Sequence, residues 1–272
     1  MKRTLAAALE ESAALVGRVD ARVLARHLLG VDAAWIVANP MHVLGETQDA
    51  RLDLLVAQRA IGHPVAYLVG SREFYGRDFA VGPDVLIPRP ETETLVEAAL
   101  ERLVPQASVA DLGTGSGAIA VTLACERPGT SVWATDASGQ ALALARANAA
   151  AHGADIAFAQ GSWYEPLQGL RFDLVAANPP YVAGADPHLA QGDLRFEPPG
   201  ALTDGSADGL DSIRTIVAGA PRHLKSGGWL LIEHGYDQAE ACRGLLAAAG
   251  FADLVSIRDL ACIARVAGGR LP

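Results

Sequence analysis

Lysine is almost missing from this sequence. Among 272 residues only Lys2 and Lys225 carry an ammonium, and arginine supplies the remaining permanent cations. Acids outnumber Lys and Arg by 31 to 22, for a formal net charge of -9. A protein that grips a nucleic-acid backbone needs a basic field, because phosphate contacts supply most of the affinity. That mode is excluded as the main one, and direct nucleic-acid binding is not expected. The lysine shortage and the heavy alanine content reflect a GC-rich coding sequence more than a function. Cysteine is scarce too: Cys125, Cys242 and Cys262 lie far apart with no CxxC spacing. Neither a disulfide framework nor a zinc site is expected from them, and His27 and His42 show no ligand spacing, so no metal is expected. Idle thiols fit a reducing cytosol. No stretch approaches the ~18 apolar residues of a membrane span. The opening MKRTLAAALEESAALVG is interrupted by Glu10 and Glu11, unlike a signal peptide. The expected setting is cytoplasmic, away from membranes, and a monomer is the expected state.

What is present is a chain 50% apolar and 19% charged, able to bury a large domain plus a small one. Residues 1–70 read as a small helical domain: TLAAALEESAALV, DARVLARHLL and ARLDLLVAQRAI space their apolar residues helically. Asp20 is the expected N-cap of the second helix. REFYGRDFAV, turning at Gly76-Arg77, reads as a β-hairpin, and 71–85 as a linker. Within VLIPRPETETLVEAAL, Pro88 and Pro90 force an extended entry before a helix with acids in its first turn.

Over 86–272 strands and helices alternate. SVADLG, SVWATD, IAFAQG, FDLVAAN, GGWLLIEHG and DLVSIRD read as strands, and four helical runs separate them. This alternation predicts a parallel sheet covered on both faces. The final DLVSIRDLACIARVAG holds two strands with no helix between, which predicts a hairpin and one antiparallel strand in a seven-stranded sheet.

Two motifs carry chemistry. In ADLGTGSGAIAV a strand ends at Asp111, then Gly113, Thr114, Gly115, Ser116 and Gly117 lead into a helix. Glycines let a ligand approach the main chain, and ligands of such sheets sit at the carboxyl ends of strands. Asp136 ends the next strand, where a carboxylate suits a ribose diol. The spacing Gly113-x-Gly115-x-x-Ala118 fits the loose dinucleotide fingerprint and equally a loop for S-adenosylmethionine. Asp111 favours the second: an acid there suits the amino group of methionine and repels a pyrophosphate.

The second motif is Asn178-Pro179-Pro180-Tyr181, at the end of the fourth strand. Prolines cannot donate to a ladder, so the strand stops. A planar NH2 group is a weak nucleophile, because its lone pair is delocalised. The Asn178 side-chain oxygen and the Pro179 carbonyl could hold both of its N–H bonds and aim the lone pair at a methyl group. Tyr181 could stack on the planar group, with the stiff Pro179-Pro180 pair completing the clamp. Such catalysis rests on positioning and electrostatics.

DLGTGSGAI together with NPPY resembles S-adenosylmethionine-dependent methyltransferases that act on planar amino nitrogens: of adenine N6, guanine N2, or protein glutamine N5. REFYGRDFAV, LIPRPETE (Leu86 to Glu93), NPPY, RFEP (Arg195 to Pro198), DGLDSI and EHGYDQ closely resemble the HemK/PrmC family, over about residues 63 to 267. That family methylates the glutamine of the Gly-Gly-Gln motif in peptide-chain release factors. The resemblance implies a class I S-adenosylmethionine-dependent methyltransferase (Rossmann-like) α/β sheet behind a helical substrate-recognition domain. S-adenosylmethionine would be bound by Asp111, the Gly113 to Gly117 loop, Asp136 and Trp163, with Asn178 bordering it, and S-adenosylhomocysteine would be released. The substrate amide would be held by Asn178, Pro179, Pro180 and Tyr181, and release factors would be the partners. Two positions depart from the family: Ser162, where an acid often precedes the tryptophan, and Cys262, where glycine is usual. The rival readings are a nucleic-acid amino methyltransferase, a nicotinamide oxidoreductase, which leaves NPPY and LIPRPETE unexplained, and a binding module that has lost turnover. Arg89 and Glu91 read mainly as part of a helix start. Glu233 and His234 read mainly as satisfied polar groups at a strand end.

Overall fold

The structure is a computed structural model and describes residues 3–272. The chain divides into two compact units, Met1–Ser71 and Arg72–Pro272. The first contains α1 (Leu5–Val16), α2 (Arg18–Leu29), α3 (Ala33–Ala38), α4 (Glu46–Ala60) and α5 (Val65–Val69). Leu5, Ala8, Leu24, Ala25, Leu52, Leu55 and Val56 form its core at helical spacing. Asp20 is not a cap. Gly17, at φ +85°, is both the end of α1 and the start of α2, so α2 begins earlier than expected. Asp20 then lies in the first turn, and its carboxylate pairs with Arg59 of α4 at 2.6 Å.

The boundary falls within the first strand of a hairpin, β1 (Ser71–Phe74) and β2 (Arg77–Ala80), most of which belongs to the second unit. It continues through α6 (Glu93–Arg102), β3 (Ser108–Leu112), α7 (Ala118–Glu126), β4 (Ser131–Asp136), α8 (Gly139–His152), β5 (Ile156–Gln160) and β6 (Phe172–Ala177). A short α9 (Pro199–Leu202), α10 (Asp211–His223), β7 (Leu224–Glu233), α11 (Ala239–Ala248), β8 (Ala252–Arg258) and β9 (Ala264–Arg270) complete it. The sheet order is β5-β4-β3-β6-β7-β9-β8. All neighbours are parallel until β9, which runs against both β7 and β8. The closing hairpin therefore folds inward: its second strand pairs with β7 and its first forms the edge.

Period-two alternation explains why both faces are apolar. Val109, Leu174, Ala176 and Leu231 pack on one side with α6 and α7. Ala110, Val175, Ala177, Leu230 and Ile232 pack on the other with α10 and α11. Phe74 and Phe79 of the hairpin join the first cluster. Strand order reverses between β3 and β6, and that reversal opens a crevice beyond their carboxyl ends.

Candidate active site

A cavity of about 430 Å³ lies at this crevice. Its wall takes in Gly113, Thr114, Gly115 and Ser116 from the β3–α7 loop, Asp136 from the end of β4, Trp163, and Asn178 and Pro180 after β6. Asp111, Gly117, Pro179 and Tyr181 are not on that wall.

The glycines are needed where they stand. Gly113 has φ +72°, and a Cβ there would meet the Trp163 ring at 3.2 Å. Trp163 itself is held at φ +47°, and its carbonyl accepts from the Thr135 hydroxyl at 3.0 Å. The amides of Gly113, Thr114, Gly115 and Gly117 are consumed internally. Those of Gly113 and Thr114 donate to the Thr135 carbonyl, and that of Gly117 donates to the Thr114 carbonyl. The Gly115 N–H donates to Asp136 Oδ2 at 2.9 Å, while Asp136 Oδ1 accepts from Ser138 N at 2.9 Å. A pyrophosphate wants such N–H groups free. Here they are taken, one of them by a carboxylate. The site fits a cationic nucleoside without phosphates, with the Asp136 carboxylate and the Trp163 indole on its wall. S-adenosylmethionine meets that description and a nicotinamide dinucleotide does not.

Asp111 does not reach the cavity. It is fully buried, Oδ2 accepts from the Thr114 hydroxyl at 2.6 Å, and Oδ1 has no partner among the described residues. Burial raises its pKa to about 7, against the pull of the Thr114 hydrogen bond. Its influence on a ligand runs through Thr114 and through charge, not contact. Ser162 lies on the wall, and its N–H donates to Glu165 Oε2 at 3.0 Å. An acid thus serves this bend from three residues downstream. Cys262 has φ +62°, which is why glycine suits that turn.

Around Asn178 the motifs converge. Leu112, Ala177 and Ile232 are in register, so the next residues are Gly113, Asn178 and Glu233. Asn178 Nδ2 donates to Thr92 Oγ1 at 3.1 Å. No hydrogen bond among the described residues uses Asn178 Oδ1 or the Pro179 carbonyl. Tyr181 is not free to swing: its hydroxyl donates to Glu233 Oε1 at 3.2 Å, and burial raises its pKa. Gln238 Nε2 donates to the carbonyls of Tyr181 and Asp208 at 3.0 and 2.8 Å. Gly209, at φ +66°, lies so close that a Cβ would fall 2.1 Å from the Tyr181 carbonyl oxygen. The buried Glu197 accepts from Ile87 N at 2.9 Å and from the Arg89 guanidinium. So RFEP holds LIPRP, and DGLDSI and EHGYDQ hold the turn after NPPY. Sequence reasoning quoted these motifs but found no task for Thr92, Glu197, Gly209 or Gln238. Their pairing depends on contacts such as the one spanning 110 residues between Ile87 and Glu197.

Comparison with known proteins agrees with this geometry. The family model for the methyltransferase small domain matches residues 90–193, and that for the PrmC N-terminal domain matches residues 2–70. The release factor glutamine methyltransferase of Xylella fastidiosa (strain Temecula1) is 52% identical, covering 98% of this chain and 97% of its own. That of Burkholderia pseudomallei is 54% identical over 93% and 92%. A solved structure of the T. thermophilus 16S rRNA N2 G1207 methyltransferase, in complex with AdoMet and guanosine, shares the fold. Its TM-score is 0.55 at 21% identity, covering 74% of this chain and 50% of that one. With a class I methyltransferase sheet, a cavity built for S-adenosylmethionine and near full-length relatives of one kind, the chain belongs to the release factor glutamine methyltransferases.

Proposed function

We propose that this enzyme transfers a methyl group to the side-chain amide nitrogen of the glutamine in a Gly-Gly-Gln loop of peptide-chain release factors, in the cytoplasm. The observation that carries the reading is the pair of open acceptors, Asn178 Oδ1 and the Pro179 carbonyl, at the strand end beside the cavity. Bound S-adenosylmethionine supplies an electrophilic methyl group on a cationic sulfur. The glycine loop and Asp136 hold the nucleoside end, and Trp163 closes one wall. Asn178 and Pro179 accept the two N–H bonds of the glutamine amide. This fixes the amide plane and aims the weak nitrogen lone pair, a contribution of positioning that needs no strong base. Tyr181, pinned by Glu233 and Gln238, offers a fixed aromatic surface to the amide. The nitrogen takes the methyl and releases one proton to solvent. The helical unit, Met1–Ser71, is assigned the recognition of the factor's body.

The test is a transfer assay with labelled S-adenosylmethionine and a purified bacterial release factor. A second tube holds the factor with its Gly-Gly-Gln glutamine replaced. Label on the intact factor alone, mapped to that glutamine by mass spectrometry, supports the reading. Label on DNA or RNA in a parallel tube, with both factors unlabelled, replaces it with a nucleic-acid acceptor.

A further inference from the structure

Thr92 stands where a helix cap would stand, immediately before α6, yet its side chain makes no cap hydrogen bond. Threonine at that position ordinarily accepts from the N–H groups of the first turn. Here the hydroxyl is turned away and buried, and its oxygen accepts from Asn178 Nδ2 at 3.1 Å. Glu233 is fully buried at the end of β7, in the position next to Asn178 across the sheet. Asn178 is thus tied to Thr92 and Tyr181 to Glu233 Oε1, and the Thr92 hydroxyl favours the charged form of the Glu233 carboxyl.

We propose that Thr92 is a positioning residue which fixes the Asn178 amide with Oδ1 toward the methyl acceptor. An asparagine amide has two faces of opposite character, and rotation by half a turn exchanges them. Only one face can accept the N–H of a substrate amide; the other would set donor against donor. A carboxylate accepts only, and a hydroxyl has one hydrogen. The Thr92 hydroxyl favours the charged form of Glu233, so its hydrogen is drawn toward that acid and its oxygen faces Asn178 as the acceptor. Nδ2 fills it, and Oδ1 is left outward. The order of the amide is thus set by Thr92. The groups that bear on Glu233 are the Tyr181 hydroxyl, Arg265 and Glu91, besides Thr92. This places PETE, the second half of LIPRPETE, in the reaction without any contact to the substrate. The inference rests on the glutamine-amide reading given above.

The test is a double-mutant cycle of Thr92→Val and Asn178→Ala, with Thr92→Ser as the conservative rescue. Turnover is measured on the release factor at saturating S-adenosylmethionine, with cofactor affinity by calorimetry and melting temperature alongside. Valine keeps the shape but leaves the half-buried Asn178 Nδ2 without its acceptor, a loss worth about tenfold or more in kcat. Thr92→Val is expected to lower kcat by that factor, with cofactor affinity within about twofold, and Thr92→Ser to restore it. In the Asn178→Ala background the same change is expected to alter kcat by less than about twofold, because the two residues act as a unit. Equal losses in both backgrounds, or full turnover by the valine variant of an active enzyme, would overturn the positioning role alone. A wild-type enzyme that leaves the factor unlabelled sinks the substrate reading and the positioning role with it.

Discussion

Asp111 gives the sharpest stability prediction. Its carboxyl is fully buried and its pKa is raised from 3.8 to about 7, chiefly by desolvation. A raised acid means that the folded protein binds a proton that the unfolded chain has already lost. Stability from this group is therefore full below about pH 4 and falls as pH rises toward about 7. Integrating between pH 4.5 and 8 at 1.36 kcal/mol per pKa unit gives a loss of roughly 3 kcal/mol. Other groups bend the whole-protein curve. Glu233, also raised to about 7 by burial, adds in the same direction. His223 and His234, whose pKa values are lowered by burial, oppose it, because the unfolded chain takes up their protons more readily below pH 6.5. The difference between wild type and Asp111→Asn cancels all three. Asparagine changes the level of stability but cannot titrate. Urea unfolding followed by tryptophan fluorescence in a Trp35→Phe background reports only on the second unit, where the other tryptophans lie. The gap between the two proteins should change by about 3 kcal/mol from pH 4.5 to 8, with the wild type losing ground at the alkaline end. Parallel curves would refute the claim that a desolvated acid sits under the glycine loop.

Five further outcomes follow from the geometry. Asn178→Ala should cut turnover by about 10²-fold or more while cofactor affinity, measured by calorimetry, changes little; Asp136→Ala should weaken cofactor binding first. Gly113→Ala puts a Cβ at 3.2 Å from the Trp163 ring on a backbone at φ +72°, so the cofactor wall must shift. Its affinity for S-adenosylmethionine should fall by about tenfold or more, as strain of ~1–3 kcal/mol implies. Arg89→Ala leaves the fully buried Glu197 carboxylate with only the Ile87 N–H, and should cost the second unit about 3 kcal/mol in urea unfolding. Cys262→Gly relieves a left-handed residue at φ +62° and should stabilise the second unit by about 1 kcal/mol, visible as a higher urea midpoint.

Much of this molecule is legible in the sequence because its sheet is parallel and buried on both sides. Most strands announce themselves as short apolar runs, four of them closing on Asp, Asn or Glu, and every crossover but that between β5 and β6 reads as a helical run. All seven strands fall where the alternation predicts them. The order within the closing hairpin is less legible. Both strands read alike, and only the packing of β9 against β7 decides which lies inside. The early start of α2 was hidden because a glycine at φ +85° can serve two helices at once. Asp111 illustrates a different limit. An acid after an apolar strand reads as a ligand for a cation, but whether it faces the cavity or lies under it depends on one residue of alternation and on a neighbouring hydroxyl. Thr114 supplies that hydroxyl here and draws the carboxyl inward.

The same device occurs twice, and together the two copies explain the shape of the centre. Asp111 on β3 and Glu233 on β7 are both fully buried at strand ends. Asp111 accepts from the Thr114 hydroxyl and Glu233 from the Tyr181 hydroxyl, and each keeps one oxygen without a partner among the described residues. The strand between them is β6, which ends at Asn178. Counting by twos from the apolar residues of one face, Val109 leads to Asp111, Ala176 to Asn178 and Leu231 to Glu233, so all three point to the same side of the sheet. An acceptor amide thus stands between two acids that are desolvated and, near neutral pH, only part ionised. A cationic cofactor arriving on the β3 side favours the charged form of Asp111. Loss of that positive charge, when the methyl leaves sulfur, weakens the preference again. Calorimetry should therefore show the apo enzyme binding S-adenosylmethionine more tightly as pH rises through about 7, with no such gain for S-adenosylhomocysteine; equal pH profiles for the two would refute the coupling.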